Sequence, residues 1–275
     1  MLRPTTNERC NATRRRFLSS AGAAIVSLIP STLVEILKPP AGANSEQGAT
    51  ITSLKGGVVR WRNEWTMERS TLNGRRIIRF TERGNGRYSP FEREVRWNVE
   101  TAWTAEESFL PLQTERVVTD AAGRRLMRER KSFNFDGGAV EIDREDGPSG
   151  PQSRRSIKIP PDTLAVDGIA GALRALPFER PRPFQAHLLS NEPRLYEVSV
   201  EARGRERVRT PAGEFECYKV ELVPGLGVLN LFRFAIPKAY FWFSVDPTHF
   251  WVRYEGLENG RGTPEVVMEL ARFER

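Results

Sequence analysis

From Val59 onward, apolar and polar residues alternate. Val59, Trp61, Trp65 and Met67 take the odd positions, and Arg60, Arg62, Glu64 and Thr66 the even ones. Side chains on a strand point alternately to its two faces, so this pattern predicts a strand with one buried and one wet face. The alternation returns in Arg75–Thr81, Arg93–Trp103, Gln113–Val118, Arg125–Phe135 and Ala139–Arg144. Turn residues punctuate the runs. Asn73-Gly74 predicts a tight hairpin because both residues tolerate positive φ. Asp146–Ser153 reads as a Gly/Pro/Ser loop. A second strand series follows over Leu195–Ala202, Arg205–Thr210, Glu214–Val223, Val228–Phe234, Tyr240–Val245, Phe250–Glu255 and Glu265–Phe273. Strands recurring at this spacing suggest a sandwich or barrel.

One segment changes period. Across Asp162–Leu176, the residues Ala165, Ile169, Ala172, Leu173 and Leu176 follow helical spacing. Asp162 or Thr163 can cap the start, and Pro177 stops it. The expectation is one helix against an otherwise β-rich chain.

The first 43 residues have a different character. Arg14-Arg15-Arg16-Phe17-Leu18 precedes the apolar run Ala21–Ile29, and Ala41-Gly42-Ala43 follows at some distance. A basic start, a short apolar stretch and a small-residue step make a secretory signal. Arg14, Arg15, Phe17 and Leu18 resemble the signal of the twin-arginine translocase, which exports folded proteins. Ala41 and Ala43 mark the expected cleavage. The segment Phe17–Leu37 is about long enough to span a membrane but carries Gly22, Pro30 and Glu35, so an uncleaved inner-membrane anchor is the lesser alternative. Cys10 precedes the apolar run and is no acylation site. The expected division is a signal over 1–43, a flexible lead-in over 44–57 and a single β-rich domain over 58–275. The expected location is the periplasm, with the translocase as a transient partner.

Removing the signal changes the electrostatic picture. The whole chain carries a formal charge of +7. Residues 1–43 hold six basic and two acidic residues, which leaves 36 basic against 33 acidic, or +3. That is ordinary for a soluble domain and gives no nucleic-acid signal. Cys217 then stands alone, so no internal disulfide is possible. Its place in an alternating strand reads as a buried structural thiol.

Familiar catalytic patterns are missing. His187 and His249 have no Cys or His at ligand spacing, so no metal site and no cofactor are expected. Asp246 to His249 reads as a turn. The positive feature is aromatic: all six tryptophans follow the signal, most of them within predicted strands. Trp61, Trp65, Trp242 and Trp251 are candidates to face an apolar ligand; the plainer reading is an aromatic core.

Several motifs in order carry a family resemblance. They are Ser108–Leu112, Lys131–Asp136, Leu173-Arg174-Ala175-Leu176-Pro177, Tyr196–Val200, Thr210–Val220, Phe241–Asp246 and Trp251–Glu255. Together they resemble the bacterial envelope proteins of domain-of-unknown-function family 3108, over Val58–Arg275. The resemblance implies a mainly β, antiparallel, strongly curled half-open barrel around one helix. That fold is similar to the periplasmic lipoprotein carriers, which hold acyl chains in an apolar cavity. The family has no assigned catalytic residues to carry over. The expected function is therefore non-catalytic binding of a lipid, acyl chain or lipoprotein component in the envelope. The alternatives are an envelope scaffold and, behind it, a hydrolase using carboxylates such as Glu64, Glu68 or Asp246.

Overall fold

A computed structural model of the chain describes residues 37–40, 44–91, 93–106, 109–179, 183–225, 238–260 and 262–275. Arg14, Arg15, Phe17, Leu18, Ala41, Ala43 and the strand expected at Val228–Phe234 lie outside the described residues.

The described residues form fifteen strands and one short helix. In chain order the first eight strands are β1 (Ser45–Leu54), β2 (Val59–Leu72), β3 (Arg75–Arg87), β4 (Glu94–Thr104), β5 (Pro111–Asp120), β6 (Arg125–Asn134), β7 (Ala139–Asp146) and β8 (Gln152–Lys158). The rest are β9 (Thr163–Ala165), α1 (Ile169–Leu173), β10 (Phe184–Leu189), β11 (Leu195–Thr210), β12 (Gly213–Pro224), β13 (Ala239–Ser244), β14 (Trp251–Leu257) and β15 (Glu265–Glu274). All strands belong to one sheet, ordered β8-β7-β6-β5-β4-β3-β2-β1-β15-β14-β13-β12-β11-β10-β9. Pairing is antiparallel throughout except for β9 with β10. The sheet is thus a meander whose first and last strands meet in the middle. It curls without closing, because its edge strands β8 and β9 are neighbours in sequence yet not hydrogen-bonded partners.

The alternation read from the sequence sets the two faces. In β2, Trp61, Asn63, Trp65 and Met67 are buried, while Arg62, Glu64 and Glu68 are exposed. Asn63 joins the apolar set because its amide oxygen accepts a hydrogen bond from the Thr50 hydroxyl. Asn73 and Gly74, at φ 51° and 80°, make the expected β2–β3 hairpin. The strands foreseen separately at Leu195–Ala202 and Arg205–Thr210 are one long β11. It is interrupted by a register shift between Ala202 and Arg205, beside Gly204 at φ 88°.

Two expectations are corrected. The lead-in over 44–57 is mostly β1, a central strand paired with both β2 and β15. Glu46, Gly48, Thr50 and Thr52 alternate inward, a pattern hidden by their small or polar character. The helix foreseen over Asp162–Leu176 shrinks to the five residues of α1. Thr163–Ala165 instead extends the sheet beside β10. Gly168, at φ 73°, breaks the backbone immediately before Ile169. The helical spacing was real for α1, but the preceding backbone hydrogen bonds are made to a strand.

Three apolar clusters fill the curl. The largest gathers α1, Trp65, Trp103, Phe178, Phe241 and Phe243. A second gathers Trp61, Val95, Trp97, Val99 and Val118. The third joins Phe133, Val140 and Ile142 to Ala165 and Leu189. It therefore bridges the open seam with side chains where the backbone does not pair.

Candidate functional site

The concave face of β1–β5 is an aromatic floor laid over glycines. Trp61 is paired with Gly86, Trp97 with Gly84 and Trp65 with Gly48. The rings lie flat in the space a side chain would take. A Cβ on Gly84 would stand 2.1 Å from Trp97, and one on Gly48 would stand 2.6 Å from Trp65. Trp61 meets Tyr88 and Trp97 edge-on at 5.9 and 6.1 Å. Trp65 lies between Phe80 and Phe273 at 6.2 and 6.0 Å.

A strap runs across this floor from Thr163 to Phe178 and contains α1. Its glycines rest on Trp103. A Cβ at Gly168 or Gly171 would come within 2.7 or 2.8 Å of that ring. Charges fix both ends. After α1, Arg174 forms a buried ion pair with Glu46 of β1 at 2.7 Å. Its Nε and Nη2 donate to the Thr248 carbonyl at 3.1 and 2.8 Å. Before α1, the Asp167 carboxylate accepts from Arg116 of β5 and, at 2.9 Å, from Lys131 of β6.

Asp167 belongs to a row of charges crossing the concave face. Glu82, Val99, Arg116, Glu129 and Arg144 stand opposite one another on β3 to β7. Lys131 reaches Glu129 at 3.0 Å, and Arg144 reaches Glu129 at 3.6 Å from the rim. Arg116 also donates to the Tyr88 hydroxyl at 2.8 Å, and Trp97 donates to Glu82 at 2.9 Å. Burial works against the Asp167 anion, but Arg116 and Lys131 outweigh it and hold the carboxyl down to about 2. Burial raises the Glu82 carboxyl above its usual range, against the pull of Trp97 and Arg116. Burial also opposes the Lys131 ammonium, yet Asp167 and Glu129 more than compensate and raise its value. A buried charge is tolerated only when paired in this way.

The four candidate tryptophans are separated. Trp61 and Trp65 both belong to the concave floor, each under 9% exposed. Trp242 is on the face opposite Phe241 and Phe243, where Lys219 and Arg253 lie over its ring at 4.8 and 5.6 Å. Its indole donates to Glu206 at 2.5 Å. Trp251 stands opposite Phe243, with its indole nitrogen buried and without a hydrogen-bond partner. The candidate carboxylates do not assemble on the concave side. Glu64 and Glu68 are on the wet face of β2, and Asp246 is bound in a turn to Thr248 and Arg275. Cys217 is fully buried, and burial pushes its thiol up to about 12, the wrong direction for a nucleophile.

The charge row escaped the sequence reading although its signal was present. Met127, Glu129, Lys131 and Phe133 share one face of β6, so two charges fall on the parity of two core residues. Arg116 shares its parity with buried Thr114 and Val118 in the same way.

The profile of the family described as "Protein of unknown function (DUF3108)" matches residues 50–270. The chain belongs to this family. For a DUF3108 chain, the expected curled sheet around a helical element is therefore the observed arrangement, apart from the shorter helix. Among solved structures, a Bacteroides fragilis protein described as exported and of YmcC-like fold is 11% identical. The comparison has a TM-score of 0.36 and covers 87% of this chain and 100% of that one. A Parabacteroides distasonis protein described as a lipoprotein is 9% identical, with a TM-score of 0.36 and coverage of 87% and 99%. A search of curated proteins finds no match. Among the described residues, no helix is long and apolar enough to cross a membrane, and no group of three or more His, Cys, Asp or Glu is placed to hold a metal.

Proposed function

We propose that this DUF3108 protein is exported through the twin-arginine route as one β-rich domain and binds an apolar envelope molecule, a lipid or acyl chain, on its concave face without transforming it. The observation that carries the reading is the aromatic floor of Trp61, Trp65, Trp97 and Trp103, spanned by a strap whose helix has only five residues. A long helix packed by its whole length would be a permanent core element. The strap also buries Leu164, Ala172, Leu173, Ala175 and Phe178 in the largest apolar cluster, so a ligand that displaces it must offer apolar surface in exchange as well as replace the pairings of Asp167 and Arg174. Aromatic and apolar linings are what acyl-chain sites use. The carboxylates proposed for hydrolysis are turned outward or bound in a turn, which favours binding over chemistry.

The test is direct. The full chain is mixed with phosphatidylethanolamine vesicles, separated and measured by native mass spectrometry and tryptophan emission. Retained lipid mass and a shifted emission are expected, because the floor is built of tryptophan. An unliganded mass with unchanged emission would overturn the reading.

A further inference from the structure

We propose that Arg116 and Lys131, with the Tyr88 hydroxyl, form the binding site for the anionic head of an amphiphile, and that Asp167 of the strap occupies this site in the unliganded protein. The ligand class is an apolar chain ending in a carboxylate or phosphate. The inference rests on the binding reading above and specifies its ligand.

The geometry is that of anion recognition. Arg116 and Lys131 approach the two oxygens of one carboxylate from neighbouring strands, with the Lys131 contact at 2.9 Å. Arg116 is oriented by the Tyr88 hydroxyl at 2.8 Å and lies over that ring at 5.8 Å. A guanidinium held by a second group is pre-organised for a planar or tetrahedral anion. The Asp167 carboxylate is supplied by the strap, while both cations are supplied by the sheet. When the strap leaves, the anion leaves with it and the cations stay.

The surroundings fit a head at this point and a chain beyond it. The Trp61, Tyr88 and Trp97 cluster lies on the Tyr88 side of the cations, and Trp103 lies beneath the strap. The Thr101 hydroxyl, 1% exposed and without a hydrogen-bond partner, faces Gly168 beside Asp167. It is available to a head group that replaces the strap. Arg116 keeps 12% of its side chain exposed, so the site borders solvent. Without Asp167 the Arg116 guanidinium would lose its carboxylate and Lys131 would keep only Glu129, at 3.0 Å, so strap departure without an incoming anion is unfavourable. An anionic head removes that penalty, whereas an uncharged head cannot.

The experiment compares laurate with dodecanol, which share a chain and differ in the head. Each is titrated calorimetrically into the full chain, alongside inorganic phosphate alone. The wild type is expected to bind laurate at least about tenfold more tightly than dodecanol, the step a charge-assisted contact supplies. Arg116→Gln keeps Lys131 paired with Asp167 and should fold; it is expected to bring the two ligands within about twofold. Asp167→Asn should widen the laurate preference where it folds, and the Arg116→Gln comparison decides without it. Equal binding of both ligands by the wild type, or a preference unchanged by Arg116→Gln, overturns the head site while leaving the binding function standing. Phosphate binding as tightly as laurate makes this a free-anion site and overturns the amphiphile. Failure of both laurate and dodecanol to bind overturns the binding function itself.

Discussion

A methyl group at Gly168 would meet the Trp103 ring at 2.7 Å, and the backbone there has φ 73°. Both facts oppose any side chain. Gly168→Ala is therefore expected to lower stability by about 2 kcal/mol or more in urea unfolding. A loss below the usual surface scatter would mean the strap is not seated on Trp103. Asp167 gives the residue scale its pH dependence. Its carboxyl is held down to about 2 from 3.8, so its contribution is fully present above the ordinary carboxylate value and is lost as pH falls from about 4 to about 2. The contribution is roughly 2 kcal/mol. Glu82 has the opposite sign: its raised value means that ionising it costs stability above the ordinary carboxylate range. Urea midpoints measured across this window should fall steeply in the wild type. In Glu82→Gln the fall should persist, and in Asp167→Asn it should flatten from a lower plateau. An unchanged slope in Asp167→Asn would remove the buried pairing.

At the scale of elements, the strap is held by the buried apolar side chains of its helix and by the ion pairs at its two ends. α1 has five residues and no side-chain cap, too little to be stable alone. Its position depends on Arg174 and Glu46, both 3% exposed. Removing one member of such a pair strands the other charge, so Glu46→Gln should cost about 3–5 kcal/mol. The double variant Glu46→Leu with Arg174→Met should recover most of that loss. Denaturation of Glu46→Leu, Arg174→Met and the double makes the cycle, and additive losses would show that the pair is not coupled. The tryptophan–glycine pairs explain the curl of the sheet on the same scale. Glycine weakens a strand but leaves room for a neighbouring ring to lie flat, and the ring covers the backbone that glycine exposes.

At the scale of the whole molecule, β1 and β15 meet in the middle of the sheet. No N-terminal fragment can complete the fold, and its many long-range pairings form slowly. Such a protein suits a route that accepts folded cargo. Replacing Arg14 and Arg15 with Lys is expected to keep the protein in the cytoplasm with its sheet formed, as read by cell fractionation and limited proteolysis. Normal export of that variant would exclude the twin-arginine reading. The free edge β8 carries Arg154, Arg155 and Lys158, all exposed, which discourages pairing with a second sheet.

Much of this was legible before folding. The strands of β2 to β7 and β12 to β15 followed from two-residue alternation, because a half-buried strand must alternate. The Asn73-Gly74 hairpin and the buried Cys217 followed from equally local chemistry. β1 was hidden because Gly48, Thr50 and Thr52 are inward residues without apolar character. β8 was hidden because an exposed edge has no face to bury. The length of α1 was decided by β10, whose edge offered Thr163–Ala165 better partners than a helical turn. Tertiary structure alone brought Arg116, Lys131 and Asp167 to one point, since they lie on separate elements joined across an open seam. Alternation in the sequence marks which apolar residues go inside, because water makes that choice locally. Which buried charges meet depends on register and curl, which only the completed sheet supplies.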